Sequence, residues 1–192
     1  MDYFIEALEL DAFIVDSLNE RFKNKKSLHE WLASRYSVCH LCNINISELN
    51  KDSKGKLHQI HGDPISLSHC MPYCAVINSA QAVGIDIQTP SSKLMRIAQK
   101  FIPTEQLKKI KCSDQEKDLI HFHWGIKEAI FKAYGKGKLS YKEHILVRDI
   151  QILDNQMTES TALLKKNNEE IAYRVFLKKT NDFYLSYCIQ QE

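Results

Sequence analysis

The sequence predicts an α+β fold of two similar halves, each a principal helix packed on an antiparallel sheet, with a site in the cleft between the halves. Two segments have apolar residues at helical spacing, and short runs with strand-like alternation stand beside each of them. The chain has 192 residues, enough for one ordinary domain or for two small halves that share an interface. We expect the halves to join near residues 80–90, which divides the chain into residues 1–82 and 83–192.

Composition excludes several classes of protein. Apolar residues make up 44% of the chain and charged residues 26%, as in a globular protein that can bury a core. A net charge of +2 does not indicate bulk binding to nucleic acid or membranes, so any anion site must come from a local cluster of basic residues. The N-terminal segment carries acids where a signal peptide needs basic residues, and no apolar run is long enough for a membrane helix. These features predict a cytoplasmic protein.

The N-terminal half begins with a predicted helix. Ser27 and Glu30 have the spacing of a capping box, and the helix should end near Leu41. Its apolar positions follow a helical period: Leu28, Trp31, Leu32, Tyr36 and Cys39. The polar residues 47–64 are typical of turns, and three short strands should follow, with the sequences ISLSHC, YCAVINS and AVGIDIQ.

The C-terminal half is organised around a long helix. A shorter helix should stop at Pro103, and another short one should begin at Thr104. Ser113 to Glu116 has the spacing of a second capping box, which predicts a helix that runs to Tyr134 and is capped by Gly135. The remaining segments, HILVRDIQIL, TALLKK, AYRVFLKK and FYLSYCIQ, alternate like strands, with a hairpin turn at Asn167-Asn168.

Asp86 is the first candidate for chemistry, because it interrupts an apolar strand. The run VGIDIQ places Val83, Ile85 and Ile87 on one face and the Asp86 carboxylate on the other. Gly84 permits close approach of another backbone or of a ligand. This segment alone favours an exposed acid on a half-solvated strand slightly over a metal-ligating acid.

Glu128 and Lys132 form the second candidate group, because a spacing of four puts both on one face of the long helix. The pattern fits an ordinary surface ion pair, and it also fits a carboxylate on a metal beside a lysine on a phosphate. One or two carboxylates with substrate phosphate oxygens are a usual set of ligands for Mg²⁺, so Asp86 and Glu128 would suffice. Lysine serves phosphate as a mobile point charge.

Ser68 and His69 end the strand ISLSHC just before the turn at Met71-Pro72. A hydrolase triad would also need an oriented acid and a nucleophile elbow, and the sequence has no GxSxG. The glycine-lysine turn Gly135-Lys136-Gly137-Lys138 lacks the spacing of a P-loop.

In combination and in this order, these segments resemble the 4′-phosphopantetheinyl transferase superfamily. The resemblance rests on PISLSH, VGIDIQ, the stretch from Phe101 to Glu105, and WGIKEAIFKAYGKG. The layout is most similar to the larger, monomeric two-half transferases that resemble the surfactin-synthetase activator. KKSLHEWLASRY and the turn Lys54-Gly55-Lys56 look like the family's upstream cofactor-binding elements. The C-terminal strands match in pattern only.

The resemblance implies an enzyme that moves the phosphopantetheine arm of coenzyme A onto a serine of an apo acyl, peptidyl or aryl carrier protein and releases adenosine 3′,5′-bisphosphate. It implies that Asp86 and Glu128 hold Mg²⁺ against the diphosphate, and that Glu128 takes the proton of the carrier serine directly or through water. Lys132 would support the diphosphate. Lys127 points elsewhere on the helix and would have a lesser role.

For the N-terminal half, the resemblance implies contacts with the coenzyme A phosphates and adenine. Ser68 and His69 would meet the phosphates, and Lys56 and Arg35 would meet the 3′-phosphate or adenine end. Where many relatives have an acid two residues after the strand aspartate, this chain has Gln88. Its amide oxygen would join the metal, or water would replace it.

Two other functions are compatible with parts of the sequence. A non-catalytic coenzyme A- or carrier-binding protein of the same fold would not need Asp86, Glu128 and Lys132, which are all present. A nucleic-acid-binding domain would need a basic stripe with interleaved aromatic residues, which the sequence lacks.

Overall fold

The computed structural model describes residues 8, 10, 12–53, 56–153 and 155–192. The helices of this part of the chain are α1 (Ala12–Arg21), α2 (Lys25–Cys42), α3 (Ser92–Ile97), α4 (Thr104–Lys111), α5 (Glu116–Tyr134) and α6 (Tyr141–His144). The strands are β1 (Leu49–Lys51), β2 (Leu57–Gln59), β3 (Ile65–Cys70), β4 (Tyr73–Asn78), β5 (Val83–Gln88), β6 (Ile145–Val147), β7 (Met157–Lys166), β8 (Glu169–Lys179) and β9 (Tyr184–Gln190).

All strand pairs in the described residues are antiparallel, which confirms the α+β class. β1 pairs with β2 and β3 pairs with β4, while a five-stranded sheet has the order β5-β9-β8-β7-β6. The N-terminal part therefore offers two hairpins and helix α2, and the C-terminal part offers the large sheet and helix α5. The division into two similar halves at residues 82–83 stays a prediction.

The main core lies between α5 and the large sheet. Phe122, Ile126 and Ile130 of α5 are at most 1% exposed and belong to one cluster with Val175 and Leu177 of β8. Burying several such side chains contributes about 1.5–3 kcal/mol for each one. These buried positions orient α5 so that Glu128 and Lys132 stand on a less buried side of the helix.

Two glycines set the close contact between α5 and the sheet. A Cβ atom on Gly84 of β5 would overlap the carbonyl oxygen of Ala129 in α5. A Cβ atom on Gly125 of α5 would lie against the hydroxyl of Ser186 in β9. The backbone approach expected at Gly84 is therefore that of helix α5, and it brings the strand that carries Asp86 against the helix that carries Glu128.

Both predicted capping boxes were wrong, although both helices exist. Helix α2 begins two residues before Ser27, because the side chain of Asn24 accepts hydrogen bonds from the backbone N–H groups of Lys26 and Ser27. Helix α5 begins after Gln115 without a side-chain cap. The predicted end of α5 is confirmed, since Gly135 adopts a φ of 65° and donates its N–H to the carbonyl of Phe131.

The predicted strands are confirmed at β3, β4, β5 and β7 to β9, and the hairpin turn at Asn167-Asn168 has a positive φ at both residues. The segment 47–64, expected to be turns, contains the hairpin β1-β2. The long strand expected over HILVRDIQIL is limited to Ile145–Val147, because His144 ends helix α6 and residues 148–153 lie outside any strand. Lys54 and Gly55, part of the turn singled out in the sequence, lie outside the described residues.

Among the residues that the structure describes, no helix combines the length and the apolar character needed to cross a membrane. The acidic start of the chain, on which the expectation about export rested, lies mostly outside the described residues.

Candidate functional site

Strand β5 and helix α5 bring two carboxylates together. Asp86 is 8% exposed, and burial raises the pKa of its carboxyl group. Glu128 is half-buried, and its pKa is raised by burial first and by the Asp86 carboxylate second. The buried Asp86 carboxylate thus raises the proton affinity of the neighbouring Glu128, and such a pair of acids favours a bound positive charge.

Lys132 and Ser68 supply the polar contacts of Asp86. The ammonium of Lys132 donates to Oδ1 of Asp86 at 3.1 Å and to the carbonyl oxygen of Ile85 at 2.7 Å. The hydroxyl of Ser68 donates to the same Oδ1 at 3.1 Å. Both contacts oppose the effect of burial on the Asp86 pKa without outweighing it. One lysine therefore serves a site that holds two carboxylates.

The hairpin β3-β4 is joined to β5 through serine side chains. Besides the contact between Ser68 and Asp86, the hydroxyl of Ser66 accepts the N–H of Ile85 at 3.1 Å. Alternation along β3 puts both serines on one face, toward β5. The next residue, His69, is exposed and turns to the neighbouring pocket.

A pocket of about 340 Å³ opens beside Lys132, and its lining combines basic residues with apolar ones such as Ile65 and Leu67. Its lining includes Arg35, Lys51, Lys56 and His69 from the N-terminal part and Phe131 and Lys132 from α5. Asp86, Glu128 and Ser68 do not line the pocket, but adjoin it through Lys132. The volume is at the lower end for small-molecule sites, and its charge favours an anion.

The basic wall of this pocket consists of Arg35, Lys51 and Lys56. Burial lowers the pKa of Arg35, and the neighbouring Arg21 lowers it further. The pKa of Lys51 is lowered by burial and then by Arg35 and Arg21. Within the described part of the chain, neither Arg35 nor Lys51 forms a salt bridge. Like charges held together in this way favour a multiply charged anion.

Arg35 and Lys56 are held in place by neutral contacts. The guanidinium of Arg35 donates to the hydroxyl of Ser34 at 2.9 Å and packs over the ring of Trp31 at 4.9 Å. The ammonium of Lys56 donates to the carbonyl of Ala133 at 3.1 Å, near the end of α5. These contacts orient the cations without neutralising them.

The structure brings the predicted residues into two groups that share Lys132. Asp86, Glu128 and Ser68 lie with Lys132 at the carboxylate pair, while His69, Lys56 and Arg35 lie with it around the pocket.

Gln88 lies two residues along β5 from Asp86 on the same face, and its amide nitrogen donates to the carbonyl of His121 at 2.9 Å. This hydrogen bond to α5 restricts the orientation of the Gln88 side-chain amide.

Sequence reasoning missed Lys51, Ser66 and Tyr141. Lys51 stood in a segment expected to be turns, although a strand there would have placed it near Lys56. Ser66 was part of the motif and shares the alternation of Ser68, so the pattern could have indicated it. Tyr141, whose phenol contacts Glu128, follows the motif in a region without any recognisable signal.

A protein-family model described as the 4′-phosphopantetheinyl transferase superfamily matches residues 82–188. No curated protein matches the chain. Among solved structures, the holo-[acyl-carrier-protein] synthase (AcpS) of Thermotoga maritima resembles it with a TM-score of 0.40 and 16% identity. That likeness covers 58% of this chain and 63% of the Thermotoga protein. The family model spans more than half of the sequence and includes both Asp86 and Glu128, and the chain therefore belongs to the 4′-phosphopantetheinyl transferase superfamily.

Proposed function

We propose that this protein transfers the 4′-phosphopantetheine arm of coenzyme A to a serine of an apo carrier protein, with Mg²⁺, and releases adenosine 3′,5′-bisphosphate. The observation that carries the proposal is the pair of carboxylates, Asp86 and Glu128, served by one lysine beside a basic pocket. A divalent cation would complement the two carboxylates, and a diphosphate would complement the basic residues of the pocket.

The residues at the carboxylate pair fit a magnesium ion. Burial raises the pKa of both carboxyl groups, and a dication beside them would offset that cost. Within the described residues, no group of three or more His, Cys, Asp or Glu side chains converges on one point, so the protein would supply only two charged ligands. That number suits Mg²⁺, which keeps waters and shares phosphate oxygens. The amide oxygen of Gln88, or a water in its place, would be a third ligand.

When bound, Mg²⁺ would neutralise negative charge on the diphosphate during transfer. Lys132 would hold the diphosphate as a point charge, and Ser68 and His69 would meet its oxygens from β3. The hydroxyl oxygen of the carrier serine would attack the phosphorus that carries pantetheine, and the bond from that phosphorus to the bridging oxygen of the diphosphate would break. Glu128 would receive the serine proton directly or through water.

The basic wall is proposed as the site for the nucleotide end of coenzyme A. Arg35 and Lys56 would meet the 3′-phosphate or the adenine, and Lys51 joins them because it lines the same pocket without a salt bridge in the described residues. Residues from 1–82 and from 83–192 both line this pocket, which supports a two-half transferase similar to the surfactin-synthetase activator. Two halves within one chain would make a monomer sufficient, and the proposed setting is the cytoplasm.

Incubation with coenzyme A, Mg²⁺ and a panel of apo acyl, peptidyl and aryl carrier proteins tests the proposal. Mass spectrometry of the carriers should reveal the phosphopantetheine increment on one serine, with adenosine 3′,5′-bisphosphate in equal amount. Chelation of the metal should abolish the increment. If coenzyme A binds but no carrier is modified, the protein is instead a non-catalytic coenzyme A- or carrier-binding member of the fold.

A further inference from the structure

Tyr141, on the short helix α6, packs over the face of α5 that carries Glu128. The side chains of Trp124, Glu128 and Phe131 follow one another at spacings of four and three, which puts them in a row on one helical face. The ring of Tyr141 lies 5.8 Å from that of Trp124 and 5.9 Å from that of Phe131. The aromatic residues before and after Glu128 therefore hold the Tyr141 ring between them.

The phenol of Tyr141 lies beside the Glu128 carboxylate, because its pKa is raised first by burial and then by that carboxylate. A glutamate side chain on a helix surface has several accessible rotamers, and a hydrogen bond to one oxygen restricts them. Because a phenol is a neutral donor, it can orient the carboxylate while leaving the charge of Glu128 available to another partner.

Lys127, the residue before Glu128, fixes the position of helix α6. Its side chain is fully buried, and its ammonium donates to the carbonyl oxygens of Tyr141 at 2.7 Å and of Ile145 at 2.5 Å. These carbonyls belong to the first residue of α6 and to the first residue of β6. Burial disfavours the charged form of this ammonium group and lowers its pKa to about 7. Its contacts nevertheless tie both ends of α6 to α5.

Further contacts make α6 a defined turn rather than a loose loop. The hydroxyl of Ser140 accepts the N–H of Glu143 at 3.3 Å, and the N–H of Ser140 donates to Nδ1 of His144 at 3.0 Å. The ammonium of Lys142 donates to the carbonyl of Gln99 at 3.1 Å. The backbone of Tyr141 is therefore set by residues on three sides, independently of Glu128.

We propose that Tyr141 is a positioning residue that holds the Glu128 carboxylate toward Asp86, and that the buried Lys127 keeps Tyr141 in place. The proposal rests on the proposed function, because it assigns the purpose of the orientation to the divalent cation shared by Asp86 and Glu128. The adjacent residues Lys127 and Glu128 thus have different roles. Lys127 holds helix α6 in place, and Glu128 faces Asp86.

Substitution Tyr141→Phe tests the inference, because it removes the hydroxyl and keeps the ring that packs on Trp124 and Phe131. The affinity of Mn²⁺ as a magnetic substitute is measured by electron paramagnetic resonance in the presence of coenzyme A. We expect the variant to bind Mn²⁺ roughly tenfold more weakly, the usual effect of losing a hydrogen bond to a charged group. The Michaelis constant for coenzyme A at saturating metal and the melting temperature should remain close to those of the parent.

Tyr184→Phe is the matched control, because Tyr184 donates its phenol hydroxyl to Asp118 at the opposite end of α5. This control should lower the melting temperature and leave Mn²⁺ affinity unchanged. Lys127→Met should weaken Mn²⁺ binding less than Tyr141→Phe does, since the phenol is retained but not anchored.

The outcomes separate this inference from the proposed function. If the parent protein binds Mn²⁺ with coenzyme A and Tyr141→Phe binds it equally well, Tyr141 does not position Glu128 and the inference is overturned. If the parent protein binds no Mn²⁺ in the presence of coenzyme A, the proposed metal site is wrong and the role of Tyr141 falls with it. Loss of coenzyme A affinity in Tyr141→Phe at unchanged Mn²⁺ affinity would also contradict the inference.

Discussion

Helix α5 carries an aspartate–lysine ion pair at each end, and the two pairs differ in their electrostatic balance. At its start, Asp118 pairs with Lys179 of β8 at 2.7 Å, and near its end Lys132 pairs with Asp86 of β5 at 3.1 Å. The aspartate side chains are similarly covered, with exposures of 15% for Asp118 and 11% for Asp86. Their pKa values nevertheless move in opposite directions.

Asp118 has all the partners that a buried carboxylate needs. Burial alone would raise its pKa, but hydrogen bonds from Lys179 and Tyr184 outweigh burial and hold the pKa below the ordinary value. At Asp86 burial prevails over the contacts with Lys132 and Ser68, and the pKa is raised. The Asp118 carboxylate thus finds its charged and hydrogen-bonding partners within the protein, and these contacts join helix α5 to the large sheet.

The difference follows from burial, which is the largest cause of the raised pKa at Asp86 and which the contacts there do not outweigh. Glu128 stands near Asp86, and the one lysine in contact with Asp86 has to serve both acids. An ion pair by itself therefore says little about function. At Asp86 and Glu128 two carboxylates share one lysine, and the remaining negative charge favours an external cation.

The largest effect is expected from Asp86→Ala. Removing one of two ligands beside a diphosphate should lower kcat/KM for transfer about a thousandfold, while the fold persists because the lost contacts with Ser68 and Lys132 lie outside the core between α5 and the large sheet. The measurement is a carrier-modification assay at saturating Mg²⁺, with circular dichroism to verify folding. Asp149→Ala, an exposed position, is the control. Near-parental turnover of the Asp86 variant would remove this residue from the proposed metal site.

Asp118→Asn should behave in the opposite way, with a loss of stability and retained transfer. The free energy of unfolding at pH 7 should fall by about 1–3 kcal/mol, because Lys179 and Tyr184 lose a charged partner. Since the folded-state pKa of Asp118 is depressed, its stabilisation is present above the ordinary carboxyl pKa and is lost as the pH falls through the folded-state value.

Urea unfolding of the parent and of Asp118→Asn at several values between pH 7 and pH 3 checks this prediction. The difference between the two proteins should shrink toward the acidic end. A difference independent of pH would mean that the contacts of Asp118 do not depend on its charge, and the contrast with Asp86 would lose its electrostatic basis.

Lys51→Gln extends the comparison to a cation that forms no salt bridge in the described residues. The Michaelis constant for coenzyme A should rise about tenfold, since a charged contact to phosphate is lost. The constant for 3′-dephospho-coenzyme A, which lacks the phosphate in question, should change little. Lys109→Gln, at an exposed position of α4, serves as the control. Equal effects on both donors would place Lys51 away from the 3′-phosphate.

The smallest effect is expected from Gln88→Glu, which would add a third acid near the pair. The Mg²⁺ concentration for half-maximal activity should fall about threefold, because metal affinity rises with the number of charged ligands. Turnover at saturating metal should hardly change. Magnesium titrations of both proteins at saturating coenzyme A and carrier decide the matter. Superimposable curves would show that the contact between Gln88 and the carbonyl of His121 keeps the side chain outside the metal shell.

Local patterns predicted most of the elements that frame the site. The apolar runs of β3 and β5 and the helical period of α5 identified these elements because their apolar side chains are buried, in β5 on both faces of the strand. Helix starts were less predictable, since Asn24 and Ser27 both suit a cap and only the path of the chain selects between them. The hairpin β1-β2 was hidden because its strands are three residues long and polar.

By itself, the sequence determined which residue types are available and on which elements they stand. Asp86 on a strand and Glu128 with Lys132 on one helical face follow from periods of two and 3.6, which are properties of the backbone. Tertiary structure alone decided which face meets which partner. Gly84 lets α5 approach β5 until Lys132 reaches Asp86, and the packing of α6 brings Tyr141 to Glu128. Such contacts join elements that are distant in the chain. They depend on how the buried surfaces of these elements fit together, and a local sequence pattern cannot predict that fit.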